Sequence, residues 1–314
     1  MQSSIAFIFP GQGSQYPGMA KDFVSTFAIA RHTLEEADDL LGRKLSTLIL
    51  EGPENILTET KNSQVGIFVA SMAILRVLKD LYPHINSGVC AGLSLGEYTA
   101  LCASGKLDFK ETLSLVKYRG QFMNDACEEI PGTMAVVLGL EGPDVEALVR
   151  EVNLPHDLWV ANFNCPGQVV ISGTLKGIEI GSAAAKAKGA KRVLPLQVHG
   201  AFHSGLMATA EKRLREPVEA TKLNKSLTEF VMNVPGDFVE EMDVIKENLI
   251  KQVTHSVRWE QGIRTMEKRG VSKFIEIGCG KTLAALNKRI GVKAVTLSIE
   301  KVEDLQAIEQ LQEN

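Results

Sequence analysis

The 314-residue chain lacks the features that mark several large classes of protein. No apolar run approaches the roughly 20 residues that a membrane-spanning helix needs, so no membrane partner is expected. Net charge is only −4, from 34 Lys and Arg against 38 Asp and Glu, and gives no general attraction to nucleic acid or to an anionic membrane. The five cysteines (Cys90, Cys102, Cys127, Cys165, Cys279) are odd in number, widely spaced and without a CxxC pair. That pattern argues against a disulfide framework or a structural zinc site and suits a reducing compartment. Met1-Gln2-Ser3-Ser4 carries no basic leader, and the apolar run after it reads as a buried first strand. A cytoplasmic location is expected. Internal repeats and low-complexity segments are also missing. What is left is the composition of an ordinary soluble enzyme, 45% hydrophobic and 23% charged, in a length that holds one large domain or two modest ones.

Against that background, Gly92-Leu93-Ser94-Leu95-Gly96 is the most informative segment. It follows the apolar Val89-Cys90-Ala91 and opens a helix-like stretch through Leu101. Strand, sharp turn with a serine, then helix is the order of a nucleophile elbow. The turn lifts the hydroxyl above the sheet edge, and the glycines let strand and helix approach closely. The helix N-terminus then leaves N–H groups free beside the hydroxyl, where negative charge develops in acyl transfer.

Strands and helices alternate from the start, which favours an α/β fold with a parallel sheet. Helices are expected near Asp22–Leu41, over Gln64–Leu81 with a broad apolar face, and after Asp108, an N-cap with Glu111 in a capping box. The middle third changes rhythm. Thr133–Leu140, Leu158–Asn162, Gln168–Ser172 and Arg192–Val198 read as strands; Pro143–Val152 and Ile178–Lys188 read as helices. That βαββαβ order is ferredoxin-like and predicts a small domain, 129–198, inserted into a core made of 1–128 and 199–314. Beyond it, helices are expected over Ser204–Glu219, Val244–Lys268 and Lys281–Ile290, strands over Lys273–Ile277 and Val292–Leu297, and an amphipathic helix at the C-terminus.

A serine needs a base to be nucleophilic at neutral pH, and histidine is the usual one. His32 lies among polar helix residues, while His84 and His156 flank prolines in apparent loops; solvated or structural roles fit all three. In His199-Gly200-Ala201-Phe202-His203-Ser204, the segment returns from the insertion at a strand end before a helix, where sites in open α/β sheets form. His203, at the loop-to-helix junction, is the better base. The HxxxH spacing would permit a zinc pair, but Gly200 weakens a helix there and the HExxH glutamate is missing, so no metal is expected.

Two glycine motifs are phosphate-like only in part. Gly11-Gln12-Gly13-Ser14-Gln15-Tyr16 has tyrosine where GxGxxG needs its last glycine, and Gly280-Lys281-Thr282 lacks the first P-loop glycine, since position 275 is Ile275. A glycine turn after a first strand can instead aim a backbone N–H at an oxyanion, a role that fits Gln12. Arg119, on the helix after the elbow, reads on spacing alone as a snorkelling surface residue; the alternative is a fork that binds a carboxylate.

Taken together, Phe9–Gln15, Gly92–Tyr98, Asn162-Phe163-Asn164-Cys165-Pro166-Gly167-Gln168, Gly200–Ser204, Glu276–Lys281 and the segment around Gln252 resemble the malonyl-CoA:acyl carrier protein transacylase family, nearly end to end. The resemblance implies an α/β-hydrolase-like core with a ferredoxin-like insertion, in agreement with the element order. It also implies ping-pong malonyl transfer from malonyl-CoA to the phosphopantetheine thiol of an acidic acyl carrier protein, with no cofactor. By the same resemblance Ser94 is the nucleophile, His203 its base, and the N–H groups of Gln12 and Leu95 the oxyanion hole. Arg119 would clamp the malonyl carboxylate, Gln252 orient His203, Asn162 lie near the site, and Phe202 crowd out a branched methyl. Two positions depart from the family: Leu93 replaces the usual histidine before the nucleophile, and Cys279 stands where proline is common. A monomer is expected. Basic side chains for docking the carrier are sought among Lys186, Lys188, Lys191, Arg192, Lys212, Arg213 and Arg215. The rival readings are a serine esterase or thioesterase and a non-catalytic carrier-binding module.

Overall fold

The apolar run after Ser4 forms strand β1 (Ile5–Phe9), whose last four residues are buried in the centre of a six-stranded sheet. The computed structural model describes residues 5–309; Met1–Ser4 and the last five residues, with the end of the expected C-terminal helix, lie outside the described part. The other strands are β2 (Val89–Gly92), β3 (Gly132–Leu138), β4 (Leu158–Cys165), β5 (Gln168–Thr174), β6 (Arg192–Pro195), β7 (Glu229–Met232), β8 (Asp237–Phe238), β9 (Lys273–Ile277) and β10 (Val295–Ile299).

The large sheet has the order β10-β9-β1-β2-β7-β8, parallel from β10 to β7, with β8 turned back antiparallel at one edge. Because β1 is flanked by β2 on one side and β9 on the other, the chain reverses its direction of travel across the sheet there. Crevices beyond the carboxyl ends of such strands are where α/β sheets bind ligands. Phe9 and Gly92 end β1 and β2 side by side, so the Gln12 loop and the Ser94 turn emerge together. Helix Thr60–Leu81 packs under this region, almost wholly buried from Asn62 to Leu75, as its broad apolar face requires.

The second sheet has the order β4-β5-β3-β6, all pairs antiparallel, with helices Gly142–Val152 and Leu175–Ala187 between its strands. This is the strand order of a ferredoxin-like βαββαβ unit. It carries its own apolar cluster of Val137, Leu148, Leu158, Ile171 and neighbours.

Several elements differ from the sequence expectation. The Asp22–Leu41 stretch is two helices, Lys21–Thr26 and Ala28–Leu41, because Phe27 is extended (φ −118°, ψ 124°). Short helices Leu45–Glu51 and Glu54–Thr58 fill a segment that had no expectation. The β6 strand stops at Pro195, which has no N–H for the ladder, and β10 starts three residues later than expected. Strands β7 and β8 were not expected at all; Val89↔Glu229 and Cys90↔Phe230 pairing with β2 creates the first from a short, ambiguous run.

Most consequential is the break in Val244–Lys268, which forms helices Met242–Lys251 and Trp259–Lys268. Between them Val257 joins the edge of β4: its N–H donates to Ala161 and its carbonyl accepts from Phe163. Strand-like pairing with the inserted unit overrides a continuous helix and holds Gln252 at the mouth of the core. Asp108 caps helix Phe109–Glu129 as expected, accepting from the Glu111 N–H at 2.7 Å.

Candidate active site

Ser94 sits in the turn between β2 and helix Leu95–Ala103 with φ 53° and ψ −106°, a conformation a non-glycine residue holds only under constraint. The constraint is visible. A Cβ on Gly92 would collide with the Gly96 backbone, and one on Gly96 would collide with the Phe9 carbonyl. Ser94 N–H donates to Asn233 Oδ1 at 2.7 Å, and Gln252 Nε2 donates to the Ser94 carbonyl at 2.9 Å. Asn233 also donates from Nδ2 to the Gly92 carbonyl (2.7 Å) and from its own N–H to Glu97 Oε2 (2.5 Å). The elbow is thus tied from both peptide faces.

His203 lies 2.9 Å from Ser94 Oγ through Nε2. Its other ring nitrogen, Nδ1, is 2.7 Å from the main-chain carbonyl of Gln252. A carbonyl only accepts, so Nδ1 carries the proton and Nε2 is the free acceptor facing the hydroxyl. His203 has φ 57°, and its N–H donates to Val253, so the backbone is gripped by the same broken-helix segment. Burial, then the nearby Arg119 charge, lowers its pKa to about 4, despite the opposing hydrogen bond to Gln252. The imidazole is neutral across the physiological range, as a general base must be.

Arg119 is not a surface residue. It is 1% exposed, and its guanidinium donates to Gln64 Oε1 (2.5 Å), Gln252 Oε1 (2.8 Å) and Ser94 Oγ (3.0 Å), 5.4 Å from the Tyr98 ring. Its Nε has no partner among the described residues. Spacing favoured a snorkelling arginine because the helix positions around it are mixed; burial comes from Thr60–Leu81 packing across that face.

The remaining expected residues fall into two groups. Gln12, after β1, adjoins the elbow: a Cβ on Gly11 would collide with the Leu93 carbonyl, and Leu93 N–H donates to Phe9. Gln12 Nε2 donates to Thr60 Oγ1 at 3.3 Å. Leu95 is the first residue of its helix and fully buried, so its N–H lies among those a helix leaves without an internal partner. Phe202 is buried beside His203. Asn162 is on β4, bridged to Val257 rather than hydrogen-bonded to the Ser94 cluster, and Leu93 packs its side chain into the apolar cluster around Ile8 and Ala91. Gln252 holds His203 with its carbonyl, not its side chain; the amide serves Arg119, Ser94 and Glu97 instead. His199 does not join His203: it is 38% exposed and pairs with Glu128 at 2.8 Å. A cavity of about 510 Å³ opens beside Gln12, bounded by Lys61, Asn124 and His199.

Sequence reasoning missed Gln64, Glu97 and Asn233. Glu97 stands within the elbow segment itself, an acid two residues into a helix that otherwise reads apolar, which was a usable signal. Asn233 begins an Asn-Val-Pro-Gly turn after a strand that was itself unforeseen.

A half-buried serine hydroxyl flanked by a buried imidazole and a buried guanidinium defines an acyl-transfer site, and sequence comparison agrees. The acyl transferase domain family matches residues 6–310. The malonyl-CoA:acyl carrier protein transacylase of Bacillus subtilis is 42% identical over 313 residues, covering 99% of this chain and 98% of that protein. The chain belongs to the malonyl-CoA:acyl carrier protein transacylase family. The Escherichia coli K12 transacylase is 37% identical over 288 residues, or 92% of this chain and 93% of its own. Among solved structures, a malonyl-transacylase bound to its type II polyketide synthase acyl-carrier protein superposes with a TM-score of 0.93 at 36% identity, covering 99% of this chain and 100% of that one. The Clostridium perfringens transacylase gives 0.93 at 34% identity, covering 99% and 98%. The mixed α/β architecture, an α/β-hydrolase-like core with a small inserted subdomain, is that of the transacylase family. No helix among the described residues is long and apolar enough to cross a membrane.

Proposed function

We propose that the protein transfers malonyl from malonyl-CoA to the phosphopantetheine thiol of acyl carrier protein through a malonyl ester on Ser94, supplying fatty acid synthesis. In the first half-reaction Ser94 Oγ attacks the thioester carbonyl while its proton passes to His203 Nε2. The oxyanion is held by the N–H groups of Gln12 and Leu95, each such donor being worth about 2.7–4 kcal/mol in transition-state stabilisation. Collapse expels the CoA sulfur, which takes the proton from His203. In the second half the carrier thiol gives its proton to His203, attacks the ester carbonyl and releases Ser94, which recovers the proton.

In this reading Arg119 pairs with the free malonyl carboxylate, which selects malonyl over acetyl, and the Gln252 carbonyl keeps His203 in the reactive tautomer. Phe202 crowds the space a methyl branch would need, a discrimination of about 1–3 kcal/mol. Asn162 and Leu93 border the approach. One observation carries the reading: Ser94 Oγ lies 2.9 Å from His203 Nε2 and 3.0 Å from an Arg119 nitrogen. A simple thioesterase has no need of a buried cation at its nucleophile.

The same reading takes 129–198 as a domain inserted into a core of 1–128 and 199–314, supported by the separate four-stranded sheet. It assigns the reaction to the cytoplasm, to which five unpaired, buried thiols are suited. For the acidic carrier, the exposed Lys186, Lys191, Arg192 and Lys212 are the better docking candidates, because Lys188, Arg213 and Arg215 are already paired with Glu151, Asp125 and Glu219 or Glu247.

The test is intact-mass analysis after brief exposure to malonyl-CoA, with peptide mapping. A malonyl adduct on the Ser94 peptide, absent in Ser94→Ala and discharged by added carrier protein, is expected. Rapid release of free malonate with no malonyl-carrier product would overturn the transferase reading in favour of a thioesterase.

A further inference from the structure

The hydrogen bonds around Ser94 converge on a side chain the mechanism above does not use. Glu97 is fully buried, and each of its oxygens has a donor: Gln252 Nε2 reaches Oε1 at 2.9 Å and Asn233 N–H reaches Oε2 at 2.5 Å. The other end of the Gln252 amide accepts from Arg119 at 2.8 Å. One neutral amide therefore bridges a buried carboxyl group and a buried guanidinium.

Among the described residues, Arg119 has no carboxylate in direct contact; its donors go to Gln64, Gln252 and the Ser94 hydroxyl. Glu97 is the acid that faces it at one remove. The other titratable groups around Glu97 are Tyr98 on its own helix, and Arg119 and His203 on the elements packed against it. Burial is the largest influence on the Glu97 carboxyl and pushes it up to about 8, while the Asn233 N–H, the Arg119 charge and the Gln252 amide pull the other way. The group stands between its two protonation states near pH 8.

A substrate with a free carboxylate changes this balance. Two carboxylates sharing one cation in a dry site cannot both stay ionised cheaply, and the one with the weaker hold on the cation protonates. We propose that Glu97 is the proton-balancing partner of Arg119: when the substrate carboxylate pairs with the guanidinium, Glu97 becomes fully protonated, drawing from solvent the fraction of a proton it lacks. This rests on the reading of Arg119 as a carboxylate clamp. Glu97 is a positioning residue, because it touches neither substrate nor reacting atoms. A neutral carboxyl group keeps acceptor lone pairs for Asn233 and Gln252, so the elbow stays tied in both states. An acetyl group brings no charge and draws no proton.

The experiment is calorimetric titration of malonyl-CoA and of acetyl-CoA into Ser94→Ala protein at pH 8, in two buffers of different ionisation heat. The alanine variant removes acyl transfer and thiol release, so only binding is read. A group at its midpoint is half protonated, so malonyl-CoA should bind with uptake of about half a proton per site and acetyl-CoA with almost none. His203, with a pKa of about 4, stays neutral at pH 8 and contributes nothing. Above pH 8 the malonyl-CoA affinity should weaken by up to about tenfold per pH unit, and Glu97→Gln in the same background should abolish both the uptake and this dependence. Malonyl-CoA binding without uptake, equal uptake with acetyl-CoA, or uptake that survives Glu97→Gln would each overturn the inference. The malonyl and acetyl comparison leaves Glu97 intact, so it decides the matter even if Glu97→Gln does not fold. Failure to bind malonyl-CoA at all would instead refute the functional reading beneath it.

Discussion

Replacing Arg119 by alanine separates substrate recognition from chemistry. The side chain is 1% exposed and donates to Gln64, Gln252 and Ser94. Its removal leaves the side-chain amide oxygens of Gln64 and Gln252 buried without that donor, at about 1–3 kcal/mol each in folding stability. Arg119→Ala should therefore lower the urea midpoint while still folding. The catalytic loss has a different size and a different selectivity. A buried carboxylate stripped of its cation costs about 3–5 kcal/mol. At about 1.36 kcal/mol per tenfold, malonyl loading should fall by about 2.2 to 3.7 orders of magnitude in kcat/KM. Acetyl-CoA has no carboxylate to strand, so its kcat/KM should fall much less, and the malonyl-to-acetyl ratio should collapse. Rapid-quench loading with both thioesters measures that ratio directly. An equal loss for the two substrates would show that Arg119 serves only the fold or the Ser94 hydroxyl, and the clamp would be refuted.

On the acid side, malonyl-CoA kcat/KM should hold flat from neutral pH downward until pH drops through about 4, because the base is active when neutral and burial with Arg119 holds His203 low; a limb at the ordinary histidine value near 6.5 would contradict this environment. In Arg119→Ala, which lacks the second of those causes, the limb should move upward. Gly96→Ala should destabilise the protein by about 1–3 kcal/mol or more, since its methyl meets the Phe9 and Pro10 carbonyls, which chemical denaturation will register. Transfer to carrier protein should slow with rising salt if Lys186, Lys191, Arg192 and Lys212 steer docking; a rate independent of ionic strength would remove that surface from consideration.

Legibility in the sequence followed the range of the forces involved. The elbow was readable because its chemistry is local: glycines at 92 and 96 answer to contacts within one turn and the adjacent strand. The inserted βαββαβ unit was readable because its strands and helices follow one another within a single short stretch and pair only with each other, apart from one bridge to Val257. Strand β7 was not, because β2, far off in sequence, and the equally unforeseen β8 make four ambiguous residues a strand. Periodicity joined Met242–Lys251 to Trp259–Lys268 as one helix, and it had no means of seeing Val257 pair with β4. For Arg119, helix spacing pointed to the surface and only the family resemblance pointed inward.

The order of residues by itself determined a strained serine turn, a candidate imidazole and an α/β chain with a compact insertion, because each is encoded by neighbours a few positions apart. Only the tertiary structure decided that Arg119 is interior, that the Gln252 carbonyl rather than its side chain holds His203, and that Glu97 lies one amide away from the cation. The hydrogen bonds behind them join residues 49 to 155 positions apart. They exist only where packed elements bring distant donors and acceptors together in a space from which water is excluded.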